Sequence, residues 1–447
     1  MEKKVLILGA GLVAQPIIRY LLEQGIKVTV ASNTPDRAEV MIAGSPNGTN
    51  INWSVDDTAT LDKMVKENDL VVSLLPYIYH VTVAGFAIKH KKNMVTSSYV
   101  KPEMQALHEE AEKAGIIILN EAGLDPGIDH MSAMRIIDHV HAKGGKIKEF
   151  YSLCGALPAP EAANNPFKYK FSWSPKGVVM AGNNDAKYLR DGDIVEVDTK
   201  NLFKSPFQVD FPGVGILDVY PNRDSISYID IYNIPEAETM FRGTFRFKGW
   251  CEILDALKYL NLISYDNYNM EGMTYADFIA YMIGQTSSDK IREKVECVKY
   301  NNFTAHSLDA MEWLGLFDQE PMNRKFDSPF EVTSDLMIEK MQLGQHERDM
   351  VVMQHSFLAS YPGGKEEVIR SRMLDYGTLA TDTAIARTVA LPAAIAVKMI
   401  LENKINIKGV FRPVLPEIYN PILDGLETMN IKMVEEFGLP VEEKIHQ

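Results

Sequence analysis

The sequence has few cysteines and no segment rich in basic residues. Its three cysteines, Cys154, Cys251 and Cys297, form no Cys-x-x-Cys pair and no disulfide framework, so we expect a cytoplasmic protein. The chain has 60 aspartates and glutamates against 46 lysines and arginines, which gives a net charge of −14. Because binding to nucleic acid needs a basic surface, the composition argues against a nucleic-acid partner.

The sequence also lacks the marks of several other protein classes. Its most apolar late segment, residues 384–401, is interrupted by Arg387, Thr388 and Lys398, which predicts a packed helix and no membrane partner. The first apolar strand begins at Val5, so we expect no signal peptide. No cluster of histidine, cysteine and carboxylate has the spacing of metal ligands, and no Gly-x-Ser-x-Gly motif supports a serine hydrolase.

The most informative feature present is an apolar strand that leads into a Gly-x-Gly-x-x-Ala turn. Gly9 permits the tight turn, Gly11 lets the backbone approach a pyrophosphate, and Ala14 is small enough for a helix to pack on the strand. An apolar-periodic helix over residues 12–24 and a second buried strand over 27–31 supply the expected βαβ context. We therefore predict a dinucleotide site; the alternative is a βαβ unit that binds no nucleotide.

Strands alternate with helices through the first 120 residues. Three further apolar strands are predicted at residues 69–75, 93–96 and 116–120. Such alternation is typical of an α/β protein with a doubly wound parallel sheet. Polar turns follow each strand at its carboxyl end, which is where ligands bind in open α/β sheets.

The later sequence predicts a second domain of strands and a group of helices. Strand-like segments occur at residues 148–154 and 240–248, and helical periodicity follows from about Cys251. The predicted domains are a dinucleotide-binding domain at 1–127, with C-terminal helices from about 384–447 as candidates to complete it, an α/β substrate domain at 128–250 and about 331–383, and a helical domain at 251–330.

The end of the second predicted strand bears on the choice of cofactor. An acidic residue there binds a ribose 2′-hydroxyl, whereas basic or small polar groups accept a 2′-phosphate. The position reads Ser32-Asn33-Thr34, with Arg37 nearby and no carboxylate, which favours NADP. The alternative is that Asn33 or Thr34 only caps the next helix.

The predicted strand at 240–248 has an apolar face and a cationic face. The alternation places Phe241, Phe245 and Phe247 on one side and Arg242, Thr244, Arg246 and Lys248 on the other. Arg223 adds a guanidinium on a turn. Because guanidinium groups bind carboxylates through two hydrogen bonds, we predict a substrate rich in carboxylates. The alternative is a solvated strand face with structural ion pairs.

Three other residues follow predicted strands and can carry chemistry. Asp125 is expected to cap a helix with Pro126 at its first position, and a substrate contact is compatible with that role. Tyr99 follows the fourth strand, where its hydroxyl can reach the nicotinamide. Cys154 is expected to end a strand at a domain junction, with a small core residue as the alternative.

Seven segments in order carry a resemblance to a known family: residues 69–80 (DLVVSLLPYIYH), 95–100 (VTSSYV), 120–130 (NEAGLDPGIDH), 153–160 (LCGALPAP), 169–177 (YKFSWSPKG), 220–224 (YPNRD) and 241–246 (FRGTFR). Through them the chain resembles the saccharopine reductases, the glutamate-forming saccharopine dehydrogenases of lysine metabolism, along nearly its whole length. The resemblance implies a variant Rossmann domain, a mixed α/β substrate domain, a small helical domain and a homodimer. It also implies interconversion of saccharopine with glutamate and 2-aminoadipate semialdehyde, with NADP as the cofactor.

The same resemblance implies the site residues. The cofactor would be held by Ala10, Gly11, Leu12, Val13, Ser32, Asn33, Thr34, Leu75, Pro76, Ser97, Leu124, Asp125, Pro126 and Ser174. Saccharopine would be held by Ser98, Tyr99, Asp125, Trp173, Ser174, Arg223, Thr244, Phe245 and Arg246. Tyr99, Asp125 and Cys154 are the candidates for proton transfer, and the sequence does not choose among them.

One departure from the family pattern concerns the cofactor. Fungal members have an arginine in the triplet that here reads Ser32-Asn33-Thr34. Either Arg37 and the small polar groups replace it, or the protein accepts NAD as well; we predict NADP.

Two other functions remain as alternatives at this point. A carboxynorspermidine synthase would bind more amines and fewer carboxylates, and Arg223 and Arg246 argue against it. A non-catalytic nucleotide-sensing protein would not need Ser98, Tyr99 and Asp125, all of which are present.

Overall fold

The computed structural model describes residues 2–298 and 303–446, and it divides into two compact units. The first unit comprises Met1–Lys146 and Ala359–Phe437, and the second comprises Ile147–Leu358 and Gly438–Gln447. Each unit is built around a β-sheet.

The strands of the described chain are β1 (Lys4–Leu8), β2 (Lys27–Ser32), β3 (Gly48–Asn52), β4 (Leu70–Ser73), β5 (Asn93–Val95), β6 (Ile117–Leu119), β7 (Lys146–Pro158), β8 (Ala186–Arg190), β9 (Asp193–Val197), β10 (Phe207–Phe211), β11 (Gly215–Pro221), β12 (Thr239–Phe247), β13 (Asp349–Ser360), β14 (Glu366–Tyr376), β15 (Gly409–Phe411) and β16 (Val434–Leu439).

The helices are α1 (Gln15–Glu23), α2 (Pro35–Ile42), α3 (Thr58–Glu67), α4 (His80–His90), α5 (Pro102–Gln105), α6 (His108–Ala114), α7 (Ile128–Ala142), α8 (Pro175–Ala181), α9 (Ser227–Ile231), α10 (Trp250–Tyr259), α11 (Tyr275–Met282), α12 (Ile291–Glu296), α13 (Ala305–Leu314), α14 (Pro329–Lys340), α15 (Ala384–Leu401) and α16 (Pro416–Glu427).

The first unit contains a seven-stranded sheet in which every neighbouring pair is parallel. The strand order is β15-β6-β5-β4-β1-β2-β3. The central strands β1 and β4 are apolar and buried, as expected where helices cover both faces of a parallel sheet. The predicted doubly wound α/β fold is confirmed, since six of the strands follow the order 3-2-1-4-5-6 of Rossmann domains.

C-terminal helices pack within this first unit. Helix α15 packs against α1 and α16, and α16 also packs against α7. Helix α15 begins at a side-chain cap in which the hydroxyl of Thr383 accepts a hydrogen bond from the backbone N–H of Ala386 at 3.1 Å. By length and composition α15 could cross a membrane, but 83% of it is buried inside the protein, which is typical of a core helix.

Two strands of this sheet have no prediction in the sequence analysis, and both lie at its edges. Strand β3 has the polar sequence GTNIN and pairs only with β2, so it lacks the apolar run of the central strands. Strand β15 has three residues and lies almost 300 positions after its neighbour β6. Neither a polar edge strand nor a short distant one leaves a clear periodic signal.

The second unit contains a mixed sheet. Strands β10, β11, β12, β7 and β13 are neighbours in that order. The pairs β10 with β11 and β11 with β12 are antiparallel, whereas β12 with β7 is parallel. Strands β8 and β9 form an antiparallel pair that joins the sheet at β12.

The compact units differ from the predicted domains at several boundaries. Residues 359–383, predicted for the substrate domain, group with the first unit, and Gly438–Gln447 groups with the second. The first unit extends to Lys146 because α7 packs against α16, so residues 128–146 do not group with the second sheet. Helices α10, α11, α12 and α13 lie where helices were predicted, but their contacts group them with the second sheet. The hydrophobic pattern predicts helices and gives no information on which sheet they pack against.

The turn that enters α7 folds tightly on itself. Gly127 has a φ of 149°, and a Cβ atom there would lie 2.0 Å from the carbonyl oxygen of Gly123. The backbone N–H of Gly123 donates to the carbonyl of Pro126 at 3.1 Å, and that of Ile128 donates to the carbonyl of Gly123 at 2.8 Å. This loop therefore requires glycine at Gly127.

We predict that Gly127→Ala destabilises the protein by about 2–4 kcal/mol, because it adds both steric overlap and an unfavourable φ. The midpoint of urea unfolding measures the effect. Gly85→Ala in α4 is the control, since a Cβ there meets open space and the helix should gain up to about 1 kcal/mol. Equal midpoints for Gly127→Ala and the wild type would contradict the prediction.

Candidate functional site

The glycine turn lies between β1 and α1. Gly9 has a φ of 102°, and a Cβ atom there would lie 3.2 Å from the carbonyl oxygen of Leu74, so the turn needs glycine at this point. A Cβ at Gly11 would meet no atom within 4 Å. Gly11 therefore leaves its backbone accessible to a ligand, as the spacing predicts for a pyrophosphate.

The start of α1 adds free hydrogen-bond donors beside this turn. Ala14 occupies the N-cap position, and no described side chain caps the helix. The first backbone N–H groups of α1 are thus available to an anion, which the helix dipole also favours. Ala10 is buried, Leu12 is exposed and Val13 is partly exposed. These residues fit the phosphates of a dinucleotide.

The end of β2 carries the small polar groups predicted to bind the adenosine ribose. The buried hydroxyl of Ser32 lies 2.9 Å from the hydroxyl of Thr34. It also accepts a hydrogen bond from the backbone N–H of Thr34 at 3.1 Å. Asn33 is exposed. Thr34 occupies the N-cap position of α2, but its side chain makes no capping bond. The alternative in which this loop only caps the helix therefore loses its main support.

Arg37 lies in the first turn of α2, close in sequence to this polar group. Its side chain is exposed, and it forms no ion pair with residues 2–298 or 303–446. Its backbone N–H donates to the carbonyl of Thr34 at 3.2 Å, and an exposed guanidinium in this turn suits a 2′-phosphate. This arrangement can replace the arginine that the triplet lacks.

Further candidates follow β4 and β5 at the same edge of the parallel sheet. Leu75 is half-buried and Pro76 is exposed after β4, and Ser97, Ser98 and Tyr99 are half-buried after β5. A Cβ at Gly123, in the loop after β6, would lie 3.0 Å from the Cβ of Ser97, so the two loops are in close contact. The first unit thus brings these predicted residues together.

The loop after β6 adds Asp125, which contacts Tyr99. The Tyr99 hydroxyl donates a hydrogen bond to Oδ1 of Asp125 at 3.1 Å. Leu124 and Pro126, on either side of Asp125, are buried. The expectation that Asp125 caps the following helix is wrong, because the N-cap residue is Gly127 and α7 begins at Ile128.

Glu121 anchors these loops and has no role in the sequence analysis. Its buried carboxylate accepts a hydrogen bond from the backbone N–H of Val100 at 2.7 Å and one from Nε of Arg412 at 3.0 Å. Its Oε2 also lies 2.7 Å from Nε2 of His130. Burial raises the pKa of Glu121. The neighbouring His130 and Arg412 lower that pKa by a larger amount, so the net shift is downward and the carboxyl stays ionised. Its only sequence signal is its place in the segment 120–130.

The candidates of the second unit lie mainly on β12. Arg242 and Arg246 are only 3% and 5% exposed, so the alternative of a solvated cationic face is wrong. Phe241 and Phe245 are fully buried, as predicted for the apolar face. Residues on both faces of β12 are therefore buried, and this requires other parts of the chain to pack above and below the sheet at this strand. The alternation of the strand is right, but its second face is not open to solvent.

Arg246 lies among aromatic rings. Its guanidinium carbon is 4.9 Å from the ring centre of Tyr169, 5.3 Å from that of Trp250 and 6.0 Å from that of Tyr220. Nη1 of Arg246 donates to the carbonyl of Phe245 at 2.8 Å. Burial raises the pKa of both tyrosines, and the positive charge of Arg246 opposes that rise. The three rings are spread over a stretch of sequence from Tyr169 to Trp250, so the periodicity of a single strand does not identify them.

Arg246 has a buried carboxylate in register with it, that of Asp218 on the neighbouring strand β11, but it forms no ion pair with this residue. No described carboxylate forms an ion pair with Arg246, and its Nε has no hydrogen-bond partner in the described chain. Nε1 of the neighbouring Trp250 is also buried without a described partner. A buried unpaired charge is unfavourable, so these donors favour an anionic ligand.

The remaining predicted residues of the second unit differ in their exposure to solvent. Arg223 and Ser174 are exposed, and Trp173 and Thr244 are half-buried. Arg223 has a φ of 52°, and its carbonyl accepts a hydrogen bond from the backbone N–H of Lys187 at 2.8 Å, which fixes the turn. The turn therefore holds a guanidinium toward the surface of its own unit.

Cys154 does not end a strand. It lies within β7, which continues to Pro158, and it is 8% exposed. Its register partner on β12 is Thr244. At Gly155 the backbone of β7 lies very close to Phe245 of β12, since a Cβ atom at Gly155 would be 2.8 Å from the carbonyl oxygen of Phe245. The prediction of a strand end at Cys154 is wrong, because the glycine that follows it permits close strand packing rather than a turn.

Together, the parallel sheet, the open glycine turn and the free N-terminus of α1 define a dinucleotide-binding protein of the Rossmann class. Two family models match the chain. The saccharopine dehydrogenase NADP binding domain matches residues 5–119, and the saccharopine dehydrogenase C-terminal domain matches residues 123–431. The chain therefore belongs to the saccharopine dehydrogenase family.

Several relatives are similar over the full chain. It is 39% identical to saccharopine dehydrogenase [NADP(+), L-glutamate-forming] of Schizosaccharomyces pombe, over 97% of this chain and 98% of that protein. It is also 39% identical to α-aminoadipic semialdehyde synthase of Bos taurus, where it covers 47% of the longer protein. The structure of apo saccharopine dehydrogenase (L-Glu forming) from Saccharomyces cerevisiae superposes with a TM-score of 0.90 at 38% identity, over 97% of this chain and 99% of that one.

We predict that Gly11→Ala weakens NADPH binding about tenfold or more, because its Cβ would occupy the space left for the pyrophosphate. The Kd for NADPH, measured by fluorescence titration, checks the effect. The urea midpoint should stay at the wild-type value, since the added carbon meets no protein atom. Gly85→Ala is again the control, and an unchanged Kd for Gly11→Ala would place the pyrophosphate elsewhere.

Proposed function

We propose that this protein is an NADP-dependent saccharopine dehydrogenase of lysine metabolism. It oxidises saccharopine to glutamate and 2-aminoadipate 6-semialdehyde, and it also runs in reverse. The observation that carries the proposal is the buried Arg246 guanidinium with no described ion-pair partner, in a chain that belongs to this family. Its full-length relatives from two yeasts bear the same enzyme name.

The substrate would supply the anionic partner with which the Arg246 guanidinium can form an ion pair. Saccharopine has three carboxylates, each ionised at neutral pH. One of them would form two parallel hydrogen bonds with the Arg246 guanidinium, and Nε1 of Trp250 would donate to the same anion. Arg223, exposed on its turn, would bind a second carboxylate. Ser174, Trp173, Thr244 and Phe245 would complete this part of the site.

The first unit holds the cofactor. Residues of the glycine turn and the start of α1 would bind the pyrophosphate, and Ser32, Thr34 and Arg37 would bind the 2′-phosphate. Leu75, Pro76 and Ser97 would lie along the nicotinamide half, with Leu124 and Pro126. When bound, NADP accepts a hydride from the carbon of the substrate's secondary amine.

The Tyr99–Asp125 pair is placed to handle the proton. Oxidation of the amine to an imine releases one proton, and water then adds to the imine carbon before the C–N bond breaks. The Tyr99 hydroxyl already donates to Asp125, so its oxygen can accept a proton from the substrate while its own passes to the carboxylate. We infer that this pair is the proton acceptor. Cys154, buried within β7, is then a residue of the substrate unit rather than the base.

The two alternative functions have less support. A carboxynorspermidine synthase would need acidic groups for its amine-rich substrate, whereas the group beside Trp250 is the cation Arg246. A nucleotide sensor without turnover would not need the Tyr99–Asp125 hydrogen bond. Relatives that are similar over nearly the whole chain bear the name saccharopine dehydrogenase, which supports the function proposed above.

We also propose that the enzyme works in the cytoplasm as a homodimer. The cysteines are unbridged, as expected in a reducing compartment, although the mammalian relatives of the semialdehyde synthase type are named mitochondrial. The family resemblance is the support for the dimer, and light scattering of the purified protein gives its mass directly.

A steady-state assay at 340 nm tests the proposed function. The protein should reduce NADP+ only in the presence of saccharopine, and it should oxidise NADPH only when glutamate and the semialdehyde are both present. An amine-rich substrate such as carboxynorspermidine should give no turnover. Turnover of that compound and none of saccharopine would establish the alternative.

We predict that Arg246→Lys raises the KM for saccharopine by about ten- to a hundredfold, because lysine keeps the charge but loses the paired hydrogen bonds. The Kd for NADPH should change little. Arg242→Lys is the matched control, since Arg242 is equally buried on the same strand but stacks on Tyr228 at 4.2 Å. An equal rise in KM for both variants would point to a general disturbance of β12.

We predict that Arg37→Ala lowers kcat/KM for NADP+ about tenfold or more and leaves that for NAD+ nearly unchanged, because NAD+ has no 2′-phosphate. Lys66→Ala, which removes an exposed cation on α3, is the charge control. Equal losses with both cofactors would show that Arg37 does not bind the 2′-phosphate. A wild-type preference for NAD+ would overturn the choice of NADP.

A further inference from the structure

His80 is a buried polar residue at the edge of the sheet where the proposed site lies. It begins α4 and is 3% exposed. Its Nδ1 shares a hydrogen bond with the hydroxyl of Ser73 at 2.9 Å, and its Nε2 shares one with the hydroxyl of Ser98 at 2.8 Å. The hydroxyl of Thr96 lies 3.4 Å from the same Nε2. One imidazole thus connects the end of β4 with the loop after β5.

The imidazole is neutral at physiological pH. Burial lowers the pKa of His80 to about 4. A neutral ring has one donor nitrogen and one acceptor nitrogen, so it can satisfy one hydroxyl as donor and the other as acceptor. Both serine hydroxyls are then held in defined orientations.

The backbone of Ser98 is fixed separately from its side chain. Its N–H donates to the hydroxyl of Thr96 at 3.3 Å, and its carbonyl accepts from the N–H of Glu121 at 3.1 Å. The remaining freedom of Ser98 is the rotation of its hydroxyl, and the bond to His80 restricts that rotation. The hydroxyl has one donor and two acceptor positions, so the bond to His80 leaves two of them for a ligand.

We propose that His80 is a positioning residue, which orients the Ser98 hydroxyl toward saccharopine. The proposal rests on the proposed function, in which Ser98 contacts the substrate. His80 itself makes no substrate contact, since its two ring nitrogens are occupied by Ser73 and Ser98.

Two substitutions separate the two nitrogens of the ring. In His80→Gln the amide group reaches the position of Nε2, so the contact with Ser98 is kept. In His80→Asn the amide reaches only the position of Nδ1, so the contact with Ser73 is kept and that with Ser98 is lost. Asparagine should therefore raise the KM for saccharopine about three- to tenfold, and glutamine should restore it toward the wild-type value. The Kd for NADPH should stay constant in both.

A double-mutant cycle with Ser98→Ala tests the coupling. His80→Asn should raise KM in the wild-type background and add nothing in the Ser98→Ala background. His90→Asn, at the opposite end of α4, is the control, since His90 contacts Asp62 instead. Urea midpoints of all variants identify any loss of folding.

The possible outcomes distinguish a failure of the positioning role of His80 from a failure of the proposed function. Additive effects of His80→Asn and Ser98→Ala, or an equal loss for His80→Gln and His80→Asn, would overturn the positioning role while saccharopine turnover by the wild type stands. A simultaneous loss of NADPH affinity would also overturn it, because it would indicate a structural role at the end of β4. If the wild type itself fails to turn over saccharopine, the proposed function fails, and the role of His80 fails with it.

Discussion

In a parallel sheet the carboxyl ends of all strands lie at one edge, and the candidate site of the first unit depends on this constraint. The end of β2 at Ser32 and short loops after β1, β2, β4, β5 and β6 carry the predicted cofactor residues of that unit. Loops at a sheet edge are not rigid by themselves, so buried hydrogen bonds must hold them. Glu121 and His80 supply these bonds, and neither is a residue that the proposed chemistry uses directly.

The second unit keeps the charged side chain of Arg246 in an apolar environment. A guanidinium remains ionised even when buried, so burial of Arg246 is unfavourable unless a partner compensates for it. Aromatic faces of Tyr169, Tyr220 and Trp250 provide part of the compensation in the described chain. A carboxylate of the substrate would provide the rest. The arrangement favours anionic substrates and disfavours amines, and it therefore bears on specificity as well as on affinity.

The sequence predicts the fold well where local signals are strong. The glycine turn, the apolar central strands and the long strand around Arg246 are found where the pattern places them. Predictions at Asp125 and Cys154 are wrong, because the helix cap lies at Gly127 and the glycine after Cys154 continues strand β7 instead of forming a turn. The roles of His80 and Glu121 could not be predicted, since each depends on contacts between loops that are distant in sequence. Burial of both faces of β12 likewise depends on the parts of the chain that pack on the sheet, which the alternation of the strand itself does not reveal.

The most direct test of the account is a crystal structure of the protein with NADPH and saccharopine. The account predicts a substrate carboxylate within hydrogen-bonding distance of Nε and Nη2 of Arg246, with the Ser98 hydroxyl bound to the substrate and to His80. A complex in which all three carboxylates bind elsewhere, and Arg246 remains without an anionic partner, would contradict it.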